Sequence, residues 1–343
     1  MRARSLTVAA LKAVGFIVKA PGVAIRFGAA TVRERAAGLL TVFALATASC
    51  HATTYFLTVA GLGGEPEYEQ RFSGWAKDID KSLKGAPDSI AVTLYGTDAT
   101  HAKIQSTLRD FATRAKKDDA LVVMLMGHGS FDGLDYKFEI PGSDLSAIEL
   151  ASLLDHVPAG RQLVVNMTSA SGGSLSALVR PNRVIICATK SGTEKNATVF
   201  ARYWVEALRD PAADADKNDT ITALEAFRYA EKKTSGFYQT QKRLATEHAV
   251  LEDTGHGEPV RDPNPENGQG LIANRFVLLR IGATSQAVAR DPEKLKLLGR
   301  KEEIEQAIDK LKYEKAAMRS DEYKSKLSTL LVQLAEIQEE LDK

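Results

Sequence analysis

Short, uniformly apolar runs alternate through the middle of the chain with longer stretches whose apolar residues recur every three or four positions. The first pattern predicts buried strands and the second amphipathic helices. Strands are expected at 54–60, 90–95, 120–126, 162–166, 183–188 and 275–281, and helices at 68–83, 98–115, 146–154 and 197–208. In the second helix Ile104, Leu108 and Phe111 share a face, and Asp98 or Thr100 supplies the N-cap. Strands apolar on both faces, alternating with such helices, imply an α/β fold with a mostly parallel sheet covered on both sides. Functional groups of such sheets collect beyond the carboxyl ends of the strands.

The two ends of the chain read differently. From Asp291 onward the sequence is rich in Glu, Lys, Leu and Ala. Tyr323, Leu327, Leu330, Leu334, Ile337 and Leu341 step alternately by four and three, a heptad seam. Ile304, Ile308, Leu311 and Met318 mark a helix upstream, and Ser320-Asp321-Glu322 an N-cap between the two. An antiparallel α-helical hairpin or coiled coil over 285–343 is the simplest expectation, free to pack on its own domain or to self-associate. At the other end, residues 37–48 form an apolar run behind Arg33 and Arg35, with Ala46 and Ala48 at its exit. That is the pattern of a secretory signal, and the run is too short for a spanning helix. Residues 1–50 are therefore read as an export segment, and the protein as periplasmic or extracellular. Cys50 adds a lipid-anchor reading, against which Thr47 stands where such a signal has Leu. Any membrane association would run through this segment.

Composition narrows the field further. Forty-five basic and 44 acidic residues leave a net charge of +1, which gives no reason to expect nucleic acid. Two cysteines, Cys50 and Cys187, exclude a disulfide framework and a Cys-rich zinc module. Cys187 falls inside an apolar strand, where an inert thiol is expected. Gly61-x-Gly63-Gly64 precedes Glu65 and lacks the Lys and spacing of a phosphate loop. His248 and His256 flank Glu252-Asp253 in a segment better read as a loop that covers the strand ends.

Two strand ends carry candidate chemistry. The third strand runs into Gly127-His128-Gly129-Ser130, and the fourth into Ser169-Ala170-Ser171-Gly172-Gly173-Ser174. A Ser in a small-residue turn beside a Gly-flanked His has the outline of a nucleophile and its base, with backbone N–H groups near Gly129 and Ser169 and at the following glycines as an oxyanion site. Such a tripeptide and such a loop are also common as plain structure.

The run 121–130, Leu-Val-Val-Met-Leu-Met-Gly-His-Gly-Ser, resembles the His-Gly strand of the caspase-like cysteine peptidases, most nearly the legumain branch. Residues 163–174 resemble the next strand of that family, which ends in Glu-Ala-Cys-x-Ser-Gly. On that motif Ser169 takes the place of the nucleophilic cysteine, Ser171 and Gly172 match, and Met167 replaces the acidic residue. The separation of 41 residues between His128 and Ser169 is typical of that branch. Ala188-Thr189-Lys190-Ser191 resembles the segment lining the specificity pocket, and Tyr68 to Arg71 the Tyr-x-x-Arg whose arginine helps form it. The resemblance covers roughly residues 54–280 and implies a caspase-like three-layer domain over 51–284. It implies His128, Ser169 and Gly129 as the catalytic set, and Arg71, Met167, Thr189 and Ser191 as substrate-binding positions, with asparagine-directed cleavage not to be assumed.

The departure matters as much as the match. A serine hydroxyl needs a well-aligned base where a thiol is already partly ionised. The expectation is an exported peptidase homologue with a His-Ser dyad, weak or inactive as a protease, acting on a peptide or protein segment. The alternatives are a serine hydrolase with a retuned dyad, a relationship to that family in structure only, and a non-catalytic peptide- or protein-binding scaffold assembled through the C-terminal helices.

One further motif stands apart. Asp214, Asp216, Asn218, Thr220, Thr222 and Glu225 occupy positions 1, 3, 5, 7, 9 and 12 of an EF-hand loop, with Ile221 at the apolar position 8. Asp219 replaces the glycine usual at position 6. A structural Ca²⁺ is one reading, and a Thr222-x-x-Glu225 capping box opening a helix is the other; both can hold at once. No cofactor is required by the sequence.

Overall fold

A computed structural model describes residues 52–84, 86, 89–281 and 291–342. Residues 1–50, read above as an export segment, and with them Cys50, lie outside the described residues, as does the 284/285 boundary. The apolar runs form β1 (Thr54–Ala60), β2 (Ser89–Leu94), β3 (Ala120–Met126), β7 (Arg161–Asn166) and β8 (Arg183–Cys187), all parallel; β10 (Val250–Glu252) adds antiparallel to β8. The order across the sheet is β10-β8-β7-β3-β1-β2. Strand alternation divides the core. Phe56, Val122, Met124, Val165 and Ile186 face one side, Tyr55, Leu57, Val123, Val164 and Ile185 the other.

Helices cover both faces. On the first side lie α1 (Pro66–Leu83), α5 (Phe200–Ala207) and α6 (Ala223–Thr240); on the second α2 (His101–Arg114), α3 (Ala147–Asp155) and the short α4 (Leu175–Leu178). Thr100 caps α2 by accepting from the Lys103 N–H, and Ser146 with Glu149 forms a capping box for α3. The mixed α/β fold with a mostly parallel sheet is thus as expected. Three short strands that the apolar pattern does not announce, β4 (Gly129–Phe131), β5 (Tyr136–Phe138) and β6 (Leu145–Ser146), make a small antiparallel sheet directly after His128.

The last expected strand lies elsewhere than in the main sheet. β11 (Val277–Arg280), which follows the four-residue α7 (Leu271–Asn274), pairs antiparallel with β9 (Thr220–Thr222). Beyond it, α8 (Pro292–Glu314) and α9 (Ser320–Leu341) form the expected hairpin. Leu327, Leu330, Leu334, Ile337 and Leu341 of the heptad seam pack against Leu297, Leu298, Ile304 and Ile308, so the seam is occupied within the chain. The α9 N-cap is Arg319, without a side-chain bond, and Ser320 is the first helical residue. The hairpin docks through polar contacts of α8: Glu302 pairs with Arg280, Asp309 accepts from Asn274, and the Tyr313 hydroxyl donates to the Gln269 carbonyl at 2.7 Å. Among the described residues no helix is long and apolar enough to cross a membrane.

Candidate active site and carboxylate loop

His128 and Ser169 leave the carboxyl ends of the adjacent strands β3 and β7. His128 Nε2 is 3.1 Å from the Gly63 carbonyl oxygen in the β1–α1 loop. A carbonyl only accepts, so Nε2 carries the proton and a neutral imidazole keeps its lone pair on Nδ1. Tyr68 and Phe72 of α1 meet the ring edge-on, with centroids at 5.2 and 5.4 Å. Glu69 accepts from the Gly63 N–H at 2.8 Å and so fixes the loop that holds the histidine.

Ser169 is engaged differently. Its hydroxyl donates to the Gly129 carbonyl at 3.1 Å and accepts from the Gly129 N–H, also at 3.1 Å. The residue is 3% exposed, and no hydrogen bond joins it to His128. The Gly129 N–H, an oxyanion donor in the sequence-based expectation, is thereby spent on the serine. The glycines that follow are spent too. Gly172 N–H donates to Thr189 Oγ1 at 2.9 Å and Gly173 N–H to the Ala170 carbonyl at 2.9 Å. These glycines serve close packing: a Cβ on Gly172 would lie 2.3 Å from Ser191 N, and one on Gly173 2.6 Å from the Phe131 ring.

Beneath the turn lies a buried polar network. Tyr136 Oη is 2.5 Å from Thr168 Oγ1 and donates toward Asn166 Oδ1 at 3.3 Å; Asn166 Nδ2 donates to Ser174 Oγ at 3.0 Å. Burial drives the Tyr136 hydroxyl well above its usual range and the Cys187 thiol up to about 12. Cys187 is therefore a protonated core thiol, as its strand position suggests. Ala170 sits at φ 54°, and its N–H donates to the Glu194 carbonyl at 2.8 Å. Glu194 in turn meets His248 Nδ1 at 2.5 Å, a tie across the 190–200 segment that spacing does not reveal.

The four positions expected to bind substrate do not converge on one open pocket. Arg71 is exposed, pairs with Glu67 and lies 5.0 Å over the Tyr68 ring, one aromatic residue removed from His128. Met167 is fully buried in the core, where an apolar side chain replaces the acid of the motif. Thr189 is fully buried as well, bonded to Ser171, Gly172 and Ser191. Of the pair beside it, Ser191 is half-buried and its hydroxyl is 2.7 Å from that of Thr193. Met167 and Thr189 thus build the floor under the turn and present no surface to a substrate.

In the 214–225 segment, Asp214, Asp216 and Glu225 offer carboxylate oxygens all within 4.8 Å of one another. Lys217 and Asp219, at loop positions 4 and 6, adopt φ of 63° and 65°, so Asp219 takes up the left-handed turn that glycine makes more cheaply. Asn218 N–H donates to Asp214 and Asp216 at 3.1 and 3.2 Å, while its side-chain oxygen accepts from Thr220. The capping box also forms: Thr222 Oγ1 accepts from Glu225 N–H, and Glu225 Oε2 accepts from Thr222 N–H at 3.0 Å. Partial loss of solvent and the nearby Glu225 charge push the Asp216 carboxyl up to about 6.

No protein-family model matches the chain, and no curated protein matches it. Among solved structures it is similar to protein GSU0716 from Geobacter sulfurreducens, at 12% identity and a TM-score of 0.42 over 67% of this chain and 100% of that one. It is also similar to the Drosophila initiator caspase Dronc, at 10% identity and a TM-score of 0.38 over 60% of this chain and 81% of that one.

Proposed function

We propose that the chain is an exported, legumain-branch peptidase homologue that holds a peptide segment at the His128–Ser169 cleft without cleaving it efficiently. The observation that carries this reading is the pair of hydrogen bonds between the Ser169 hydroxyl and the Gly129 backbone. Attack on a carbonyl requires that hydroxyl to leave both partners and meet a base. The same bonds close an oxyanion donor that a thiol, a weak acceptor, would leave free. His128 is ready as a base, but its proton donor faces away.

The test compares wild type with Ser169→Ala and Ser169→Cys, using a fluorophosphonate probe and a pool of peptide amides. We expect neither wild type nor Ser169→Ala to be labelled, and Ser169→Cys to gain hydrolysis. Labelling of wild type that disappears in Ser169→Ala would establish a serine hydrolase instead.

The 214–225 loop is read as a structural Ca²⁺ site, supported by the three converging carboxylates and the two left-handed residues. Millimolar Ca²⁺ should raise Tm, by about 2.7 kcal/mol of stability at a hundredfold excess over Kd. Protonation competes with the ion. Because the Asp216 carboxyl titrates at about 6, the shift should be full above that pH and shrink below it. A Tm unmoved by Ca²⁺ at pH 8, or moved equally in Asp214→Ala, would dispose of the site.

A further inference from the structure

Charges removed from water in folded proteins are paired, and that of Arg275 is not. Arg275, just past α7, is half-buried, and its Nε is shut off from solvent without a hydrogen-bond partner. Its guanidinium enters no ion pair or hydrogen bond among the described residues. Arg161 approaches from the start of β7. Its Nη1 donates to the Arg275 carbonyl at 3.0 Å, and its guanidinium lies 5.4 Å over the Phe276 ring. Arg161 is also half-buried and has no carboxylate partner among the described residues. Burial and the nearby Arg275 charge hold its pKa below the usual range of arginine, and Glu302 of α8 pulls the other way. Two like charges thus share one corner where β7, α7 and α8 meet.

The carboxylates around this corner are engaged elsewhere. β7, α7 and β11 contribute none. Glu302 is paired with Arg280 at the end of β11. Farther along α8, Glu305 is 3.9 Å from Lys301, and Asp309 is 2.7 Å from Lys312. In the strand beside β7, just before β3, Asp119 accepts from the N–H groups of Thr53 and Lys116. Asp118 is exposed and is not among the charges that act on Arg161. Arg161, Arg275 and Arg280 against the one carboxylate of Glu302 leave two positive charges. A buried water would satisfy Arg275 Nε but neither charge. Guanidinium forks match the oxygens of a phosphate-type anion, and a dianion cancels both charges where a carboxylate cancels one.

We propose that Arg161 and Arg275 hold an inorganic dianion, phosphate or sulfate, at the junction of the main sheet with the C-terminal hairpin. Bound there, the anion turns the repulsion between the two arginines into a bridge between β7 and α7. The site is independent of both the His–Ser and the Ca²⁺ readings. Arg275→Met is the decisive variant, because it keeps an unbranched apolar stem and removes only the unpaired charge.

The full chain is titrated with inorganic phosphate, sulfate and acetate by calorimetry and by melting, at an ionic strength held constant with chloride. Phosphate and sulfate should bind saturably to wild type and raise Tm, and acetate should bind at least about fivefold more weakly. In chloride alone, Arg275→Met should melt at or above the wild-type temperature. The same variant should weaken phosphate about tenfold or more, as should Arg161→Met. Arg180→Met, whose guanidinium pairs with Asp155, should bind phosphate as wild type does. No saturable phosphate binding by wild type, equal binding of acetate, or wild-type phosphate affinity in Arg275→Met and Arg161→Met overturns the proposal. A lower Tm of Arg275→Met in chloride would mean that the guanidinium already has its counterion, and overturns it as well.

Discussion

Replacing Gly129 with Ala should unfold the site and cost on the order of 3 kcal/mol or more. A Cβ at this position would lie 2.6 Å from the Ser169 carbonyl oxygen and 2.6 Å from both Cε2 and Oη of Tyr136. None of these can retreat cheaply. The Ser169 carbonyl belongs to the turn fixed by the Ala170–Glu194 bond, and Tyr136 is 1% exposed and tied to Thr168 and Asn166. Pushing either aside breaks the buried polar network, whose unsatisfied groups each cost about 1–3 kcal/mol. Chemical denaturation should therefore show a lower midpoint with little change in m-value, and hydrogen exchange should rise across 128–138 and 166–175. A Gly129→Ala protein within about 0.5 kcal/mol of wild type would mean that the turn is far softer than its contacts indicate.

This glycine also shows where sequence reading succeeded and where it stopped. The parallel sheet was legible because β3 is apolar throughout and β1 and β7 are apolar on both faces at their centres, a pattern that fits burial on both sides. His128 and Ser169 could be placed at neighbouring strand ends for the same reason. The direction of the Ser169 hydroxyl could not, because it depends on backbone groups of Gly129 that any residue type carries. The strands β4, β5 and β9 are three residues each, too short for a period to register. β11 was visible as a strand, yet its partner is fixed by the turn of the 214–225 loop and not by its own side chains. The heptad seam of α9 told correctly which face is apolar, while its choice of α8 depends on a connection short enough to fold back. The long-range ties of Glu194, Glu247 and His248 carry no periodic signal at all.

Glu247→Ala is expected to cost about 3–5 kcal/mol, because a buried carboxylate there replaces water for three donors at once. Glu247 is 3% exposed. Its Oε1 accepts from Val199 N–H at 2.7 Å and from the Tyr238 hydroxyl at 2.9 Å, and Oε2 accepts from Phe200 N–H at 3.1 Å. It therefore caps α5 from a distant segment, satisfying N–H groups that the helix itself leaves orphaned. Burial pushes its carboxyl pKa up while these bonds pull it down, so the group is costly to bury and costlier to remove. Alanine would strand the Val199 and Phe200 N–H groups and leave the Tyr238 hydroxyl only Thr246 Oγ1, at 3.0 Å, whereas Glu247→Gln keeps an acceptor and should cost about half as much. The consequence reaches the Ser169 turn. His248, the next residue, meets Glu194, whose carbonyl holds the strained Ala170 turn beside Ser169. Exchange at the Ala170 N–H should accordingly quicken in Glu247→Ala, with the 190–200 segment loosening alongside. If Tm falls while that amide keeps its wild-type protection, the cap stabilises α5 alone and the turn is held by other means.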